Sequence, residues 1–188
     1  RAGIASFSQM QQRARSGKLS YGSPGVGTSM HLAMEMVKER LGLDILHVPY
    51  KGGANVLTDL VGGQIELGII AVGPALEFIR GGKVQALAVT SRKRSARLPQ
   101  VPSLAELGLA DFDAGSWSGL AAPRQTPPDV VARLQASVHA ALKTPEVKNL
   151  FEEQSFLAIP DTPAQMRQFL LMEAQHYAPV IQRLNLAQ

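Results

Sequence analysis

Cysteine is absent from this 188-residue sequence, which excludes disulfides, thiolate nucleophiles and cysteine metal sites and leaves the redox compartment open. Aromatic residues are scarce at 5%, and none interleaves with the densest basic run, Arg92, Lys93, Arg94 and Arg97. Nucleic-acid bases find no stacking platform there, so a solvated loop before Pro99 is expected and no nucleic-acid partner. Charge is nearly balanced, with 19 Lys and Arg against 15 Asp and Glu, a mild bias toward anionic partners. No uninterrupted apolar run approaches the roughly 18 residues of a membrane-spanning helix, and no apolar signal core stands near Arg1. A leader removed beforehand stays open. What is present, 45% hydrophobic residues, suits a folded chain of one domain or two small ones that buries about 70% of its unfolded surface.

Hydrophobic periodicity predicts alternation. A short edge helix over 6–16 is followed by a strand over 19–21, a helix over 28–41, a strand over 45–48 and a helix over 54–61. A strand over 65–72, a helix over 74–80 and a strand over 84–90 complete the series. Strands apolar on both faces, such as Leu67, Ile69, Ile70 and Val72, belong in a sheet covered on both sides. The predicted class is therefore α/β, with a doubly wound, mainly parallel sheet. Gly42, Gly62, Gly63, Gly81 and Gly82 fall where left-handed helix caps are needed. Beyond Pro99 the texture changes: helical turns over 101–108, a strand over 116–122, and a helix over 130–142 with Thr126 as its cap. A shorter helix over 145–154, a strand over 156–159 and a long helix over 162–184, bent at Pro179, follow.

The run from Tyr21 to Ser29 joins a strand to a helix through Gly22, Gly25 and Gly27. Unpaired N–H groups in a helix's first turn, and the positive end of its dipole, make such a junction an anion site. Ser23, Thr28 and Ser29 add hydroxyls. Counted from Gly22 the run resembles a phosphate loop with Thr28 where lysine is required; counted from Gly25 it resembles a dinucleotide fingerprint with Met30 in place of the third glycine. Donors without a fixed cation suit a carboxylate better than a triphosphate. The bland alternative is a loop that turns the chain, with Thr28 capping its own helix. Two further junctions carry Tyr50, Lys51 and Gly52, and Ala71 and Gly73. In a parallel sheet all three gather at the carboxyl edge.

No catalytic, metal or cofactor site is expected. His31, His47, His139 and His176 lack metal-ligand spacing; His31, in a first helical turn, either faces the crevice or hydrogen-bonds locally. Trp117 occupies the serine position of a would-be nucleophile elbow over 115–119. Asp111 and Asp113 are too isolated for calcium or acid–base work, and Met30, Met34 and Met36 read as core.

The chain resembles the tripartite tricarboxylate transporter receptor family, the periplasmic solute-binding proteins of the Bug or TctC type. The residues that carry the resemblance run through the whole chain. They include Leu19-Ser20-Tyr21-Gly22-Ser23, Gly27-Thr28-Ser29-Met30-His31-Leu32-Ala33, His47-Val48-Pro49-Tyr50-Lys51-Gly52, Leu57 to Gln64, Leu87-Ala88-Val89-Thr90-Ser91, Ser116-Trp117 and Gly119 to Pro123. The resemblance implies a type II periplasmic-binding-protein clamshell that is not an enzyme. It would hold a small carboxylate, often a dicarboxylate, and would have the membrane components of a tripartite transporter as partners. Ligand contacts would come from Ser23, Gly25, Val26, Gly27, Thr28, Ser29 and His31, from Tyr50, Lys51 and Gly52, and from Ala71 and Gly73.

Ile70-Ala71 stands where many relatives carry Asp-Asn, which argues against an amino-acid ligand. Nothing here corresponds to the strand and glycine-rich loop that open the family's first lobe. Residues 6–115 are therefore expected to form the second lobe, and 116–188 the return strand and C-terminal helices of an incomplete first lobe. Apolar faces on those helices, from Pro128 onward, would invite self-association. The rivals are a phosphate- or nucleotide-binding α/β enzyme, with Lys51 as the nearest cation, and the effector-sensing domain of a transcription regulator.

Overall fold

The computed structural model describes residues 3–17 and 19–186. Helix α1 (Phe7–Arg15) begins where the Ser6 hydroxyl accepts from Gln9 N, and it buries Phe7, Met10 and Ala14 at helical spacing. Three βα units follow: β1 (Ser20–Ser23) with α2 (Ser29–Leu41), β2 (Leu46–Pro49) with α3 (Gly53–Gly62), and β3 (Leu67–Gly68) with α4 (Val72–Arg80). The strands are parallel in the order β2-β1-β3. The connections leaving β1 and β2 thus end on opposite sides of the central strand, the arrangement that opens a crevice at the strands' carboxyl ends.

Successive strand residues point to opposite faces, and the two faces of β1 meet different helices. Tyr21, fully buried, reaches α2 and donates its hydroxyl to Glu35 Oε1 at 2.7 Å. Gly22 faces α3, where a Cβ would lie 3.0 Å from Val56 Cγ1. Its register partner is Gly68, where a Cβ would lie at the same distance from the same methyl. Two strand glycines side by side thus let α3 settle close on the sheet. A second cluster, Leu76, Val89, Leu98 and Val101, packs with Val72 and Ile79 of α4.

Several expected strands are shorter or absent. The strand over 65–72 is limited to β3: the Glu66 carboxylate accepts from Ser20 N and Oγ, and the chain turns into α4 at Val72, two residues before Pro74, whose fixed φ suits a first turn. The strand over 84–90 is reduced to a single parallel bridge between Val89 and Ser103. Segments 116–122 and 156–159 form no strand. Leu120 and Leu157 are each 83% exposed. A strand needs a neighbour for its ladder, and none of the described residues supplies one there.

Helix α5 (Pro128–Ala141) is capped by Pro127 without a side-chain bond, so Thr126 is not the cap. Its N–H instead closes a turn on Pro123 O. Thr144 caps α6 (Pro145–Glu153), and Thr162 exchanges reciprocal bonds with Gln165 at the start of α7 (Pro163–Arg183). Pro179 lies inside α7.

The chain divides into two compact units. The first, residues 1–116 with 180–188, holds the sheet and its helices. In the second, residues 117–179, the Trp117 indole packs edge-on against Phe169 and donates to Glu173. Among its described residues only Tyr177 is buried.

Candidate functional site

Three strand-to-helix junctions share one edge of the sheet, because their strands are parallel and hydrogen-bonded. In the first, the Thr28 hydroxyl accepts from His31 N and donates to Gly25 O at 2.8 Å. Gly27 N donates to His31 Nδ1 at 3.1 Å, and Gly25 N to Ser23 Oγ at 3.3 Å. The second junction is laced onto the first: Tyr50 N donates to Ser23 O and Gly52 N to Pro24 O. Gly52, at φ 107°, precedes α3 in a conformation that disfavours any side chain. In the third, Ile69 N donates to Gly22 O, and Ala71, Val72 and Gly73 open α4. The junctions are close neighbours. A Cβ on Gly25 would lie 3.5 Å from Tyr50 O, and one on Gly53 would lie 3.6 Å from Ile70 Cγ2.

This bonding separates occupied donors from open ones. Ser23 is wholly buried. Its Oγ lies 2.7 Å from His47 Nε2 and 3.2 Å from Gly25 O, so it braces the loop and presents nothing outward. The Thr28 hydroxyl is taken up by its own cap. The Tyr50 hydroxyl donates to Asp59 Oδ2; burial and that carboxylate both push its pKa up. Lys51 is exposed. Among the described residues, the N–H groups of Val26, Ser29 and Met30 and the Ser29 hydroxyl have no protein partner. The expected site residues therefore stand together, but the open donors are mainly backbone amides, including that of Met30, which sequence reasoning assigned to the core. A first-turn position was the available signal, since such amides lack intrahelical acceptors.

Beneath the loop the His47 ring stacks on Tyr21 at 4.8 Å and on His31 at 4.1 Å. Burial, and then neighbouring His31, lower the His47 pKa to about 4. Burial also lowers that of His31, with Glu35 opposing and Lys38 reinforcing the shift. Burial disfavours the charged form of both rings, so the junctions' attraction for an anion rests on helix N-termini and the exposed Lys51. Glu35 closes this polar column. Burial acts to raise its pKa, but hydrogen bonds from Lys38 and Tyr21 outweigh it, and the net shift is downward. Lys38 Nζ stands 2.6 Å from Glu35 Oε1 and Arg183 Nη1 3.9 Å from Glu35 Oε2. Nothing in the spacing of Tyr21, His47 and Glu35 announces this column; the register Tyr21↔His47 creates it. Among the described residues no three His, Asp or Glu side chains gather as a metal ion requires.

Comparison with known proteins agrees with this architecture. Residues 5–186 match the family described as Tripartite tricarboxylate transporter family receptor. Protein BugT of Bordetella pertussis is 35% identical over 171 residues, which cover 91% of this chain and 52% of that protein. The UPF0065 protein of the tcbD-tcbE intergenic region of Pseudomonas sp. (strain P51) is 36% identical over 176 residues, covering 92% and 52%. Among solved structures, R. palustris Rpa4515 with adipate aligns at a TM-score of 0.88 and 30% identity, covering 96% of this chain and 61% of that one. MatC from Rhodopseudomonas palustris with bound malate aligns at 0.82 and 27% identity, covering 96% and 63%. The chain spans about half the length of these curated relatives. A glycine-rich junction at the carboxyl edge of a parallel sheet, a family match through almost every residue, and solved relatives of the same fold lead to one assignment: the chain belongs to the tripartite tricarboxylate transporter receptor family of periplasmic solute-binding proteins.

Proposed function

We propose that this chain carries the part of a periplasmic receptor that grips one end of a small dicarboxylate through backbone amides. The captured acid would pass to the membrane components of a tripartite transporter. The observation that carries the reading is the set of open amides at Val26, Ser29 and Met30 beside two adjoining helix starts on one sheet edge. Relatives solved with adipate and with malate support the ligand class. Ile69, Ile70 and Ala71 supply no acidic group to meet an amino substituent, which favours an unsubstituted acid with methylene carbons. Residues 6–115 then act as one lobe and 116–188 supply part of the other, apart from the stretch from Val180, which belongs to the first compact unit.

A charge-assisted hydrogen bond contributes about 1.5–3 kcal/mol net, so three amides correspond to roughly −4.5 to −9 kcal/mol, affinities from about half-millimolar to sub-micromolar. Association costs draw the expected value toward the weak end. Titrating adipate and malate into isotope-labelled protein should shift the Val26, Ser29 and Met30 amide resonances with millimolar midpoints. Larger shifts with ATP, or none with either acid at saturation, would overturn the reading.

Apolar side chains such as Leu120, Leu157 and Ile159 stand open on the second unit. A second copy of the chain is their proposed cover. Light scattering should give an apparent mass that rises with concentration; a monomer throughout the series contradicts this.

A further inference from the structure

We propose that His31 is a positioning residue whose neutral imidazole, accepting the Gly27 N–H at Nδ1, holds the glycine loop in shape, and that protonating this ring releases the loop. Its consequence for ligand capture rests on the carboxylate reading above; its consequence for the loop does not.

An imidazole has one acceptor nitrogen when neutral and none when charged. Gly27 N lies 3.1 Å from Nδ1, so His31 carries its proton on Nε2. A second proton would set two donors against each other at hydrogen-bond distance, and Gly27 would have to move. The helix start does not depend on this bond, because the Thr28 hydroxyl already accepts from His31 N. The ring's contribution is to the loop ahead of the helix, where Val26, Ser29 and Met30 keep their amides open.

The surroundings favour the neutral ring. His47 on β2 covers one face at 4.1 Å and is itself tied to Ser23 Oγ at 2.7 Å. Glu35, on the same helix, is the nearby anion, and its charge is met by Lys38 at 2.6 Å, by Arg183 of α7 at 3.9 Å and by the Tyr21 hydroxyl at 2.7 Å. The carboxylate pulls the ring toward its charged form, but burial outweighs it and keeps the ring's titration below the ordinary 6.5. The His47 transition falls near 4.

The test follows amide and imidazole resonances of the labelled protein from neutral pH down to about 4. The Val26, Gly27, Ser29 and Met30 amides should move together, with the His31 ring's own midpoint. In His31→Asn the side-chain oxygen replaces Nδ1 as acceptor but takes up no proton in this range. The neutral-pH spectrum should be retained and the acid transition lost. In His31→Leu, Gly27 amide exchange should quicken about tenfold, the equivalent of one hydrogen bond. Loop amides that stay still while the wild-type ring titrates, or that titrate unchanged in His31→Asn, would overturn the proposal. Should His31→Leu fail to fold, the wild-type titration decides alone. An adipate and a malate series at neutral pH separate the two claims. Loop amides that follow His31 but ignore both acids leave the positioning role standing and remove the carboxylate reading; amides that answer either acid but ignore the ring do the reverse.

Discussion

Lys38→Met is expected to lower stability by about 3 kcal/mol at neutral pH, the low end of the range for leaving one member of a buried ion pair without its partner. Glu35 is 4% exposed, and Lys38 Nζ makes its shortest ionic contact. The Tyr21 hydroxyl and the more distant Arg183 remain to it in the variant, which keeps the cost from the upper end. The pH dependence carries a definite sign. The folded-state pKa of Glu35 lies below its ordinary 4.5. Its contribution is therefore present above that value and is lost as the pH falls through the folded one. Without Lys38, burial dominates and pushes the carboxyl upward, so the variant's carboxyl takes up a proton sooner and a neutral acid needs no counter-charge. Urea unfolding at pH 7 and near pH 4 should show the gap between wild type and variant narrowing in acid. A gap equal at both would assign the loss to packing of the lysine stem.

Gly22→Ala is expected to cost about 1–3 kcal/mol through overpacking, a fall in thermal midpoint of roughly 2–12 °C. The new methyl would lie 2.6 Å from Ile65 Cδ1 and 3.0 Å from Tyr50 Cε2 and Val56 Cγ1. Relief requires the Ile65 and Tyr50 side chains to turn aside and α3, through Val56, to give by a few tenths of an ångström, and a shift of Tyr50, laced to Ser23 O, would disturb the second junction. Gly115→Ala is the matched control: nothing lies within 4 Å of the added Cβ, so a change within about 0.5 kcal/mol is expected. Equal midpoints for the two variants would contradict the close approach of α3 to β1.

How far the candidate site could be read in advance depended on the kind of group. The three junctions, with Gly25, Gly27 and Gly52, are visible because glycine at a strand-to-helix turn has a local cause. The hydroxyls of Ser23, Thr28 and Tyr50 read as ligand donors, yet each is engaged by a protein group: His47 and Gly25, the α2 cap, and Asp59. Two of those partners lie nine and 24 residues away, a separation that local pattern does not encode.

Periodicity and glycine placement, both properties of a few neighbouring residues, were enough to define the βα alternation, the parallel class and the position of α2, α3 and α4 within a residue or two. The resemblance spread along the chain supplied the family. Folding in three dimensions decided the rest. Strands over 84–90, 116–122 and 156–159 did not form as such, because a ladder exists only when another segment arrives beside it. The column of Tyr21, His47, His31 and Glu35 arose because parallel register set Tyr21 against His47 and α2 then covered both. Which hydroxyls were taken was settled the same way, Ser23 by His47 and Tyr50 by Asp59, whereas the loop amides were sorted by partners two to four residues away.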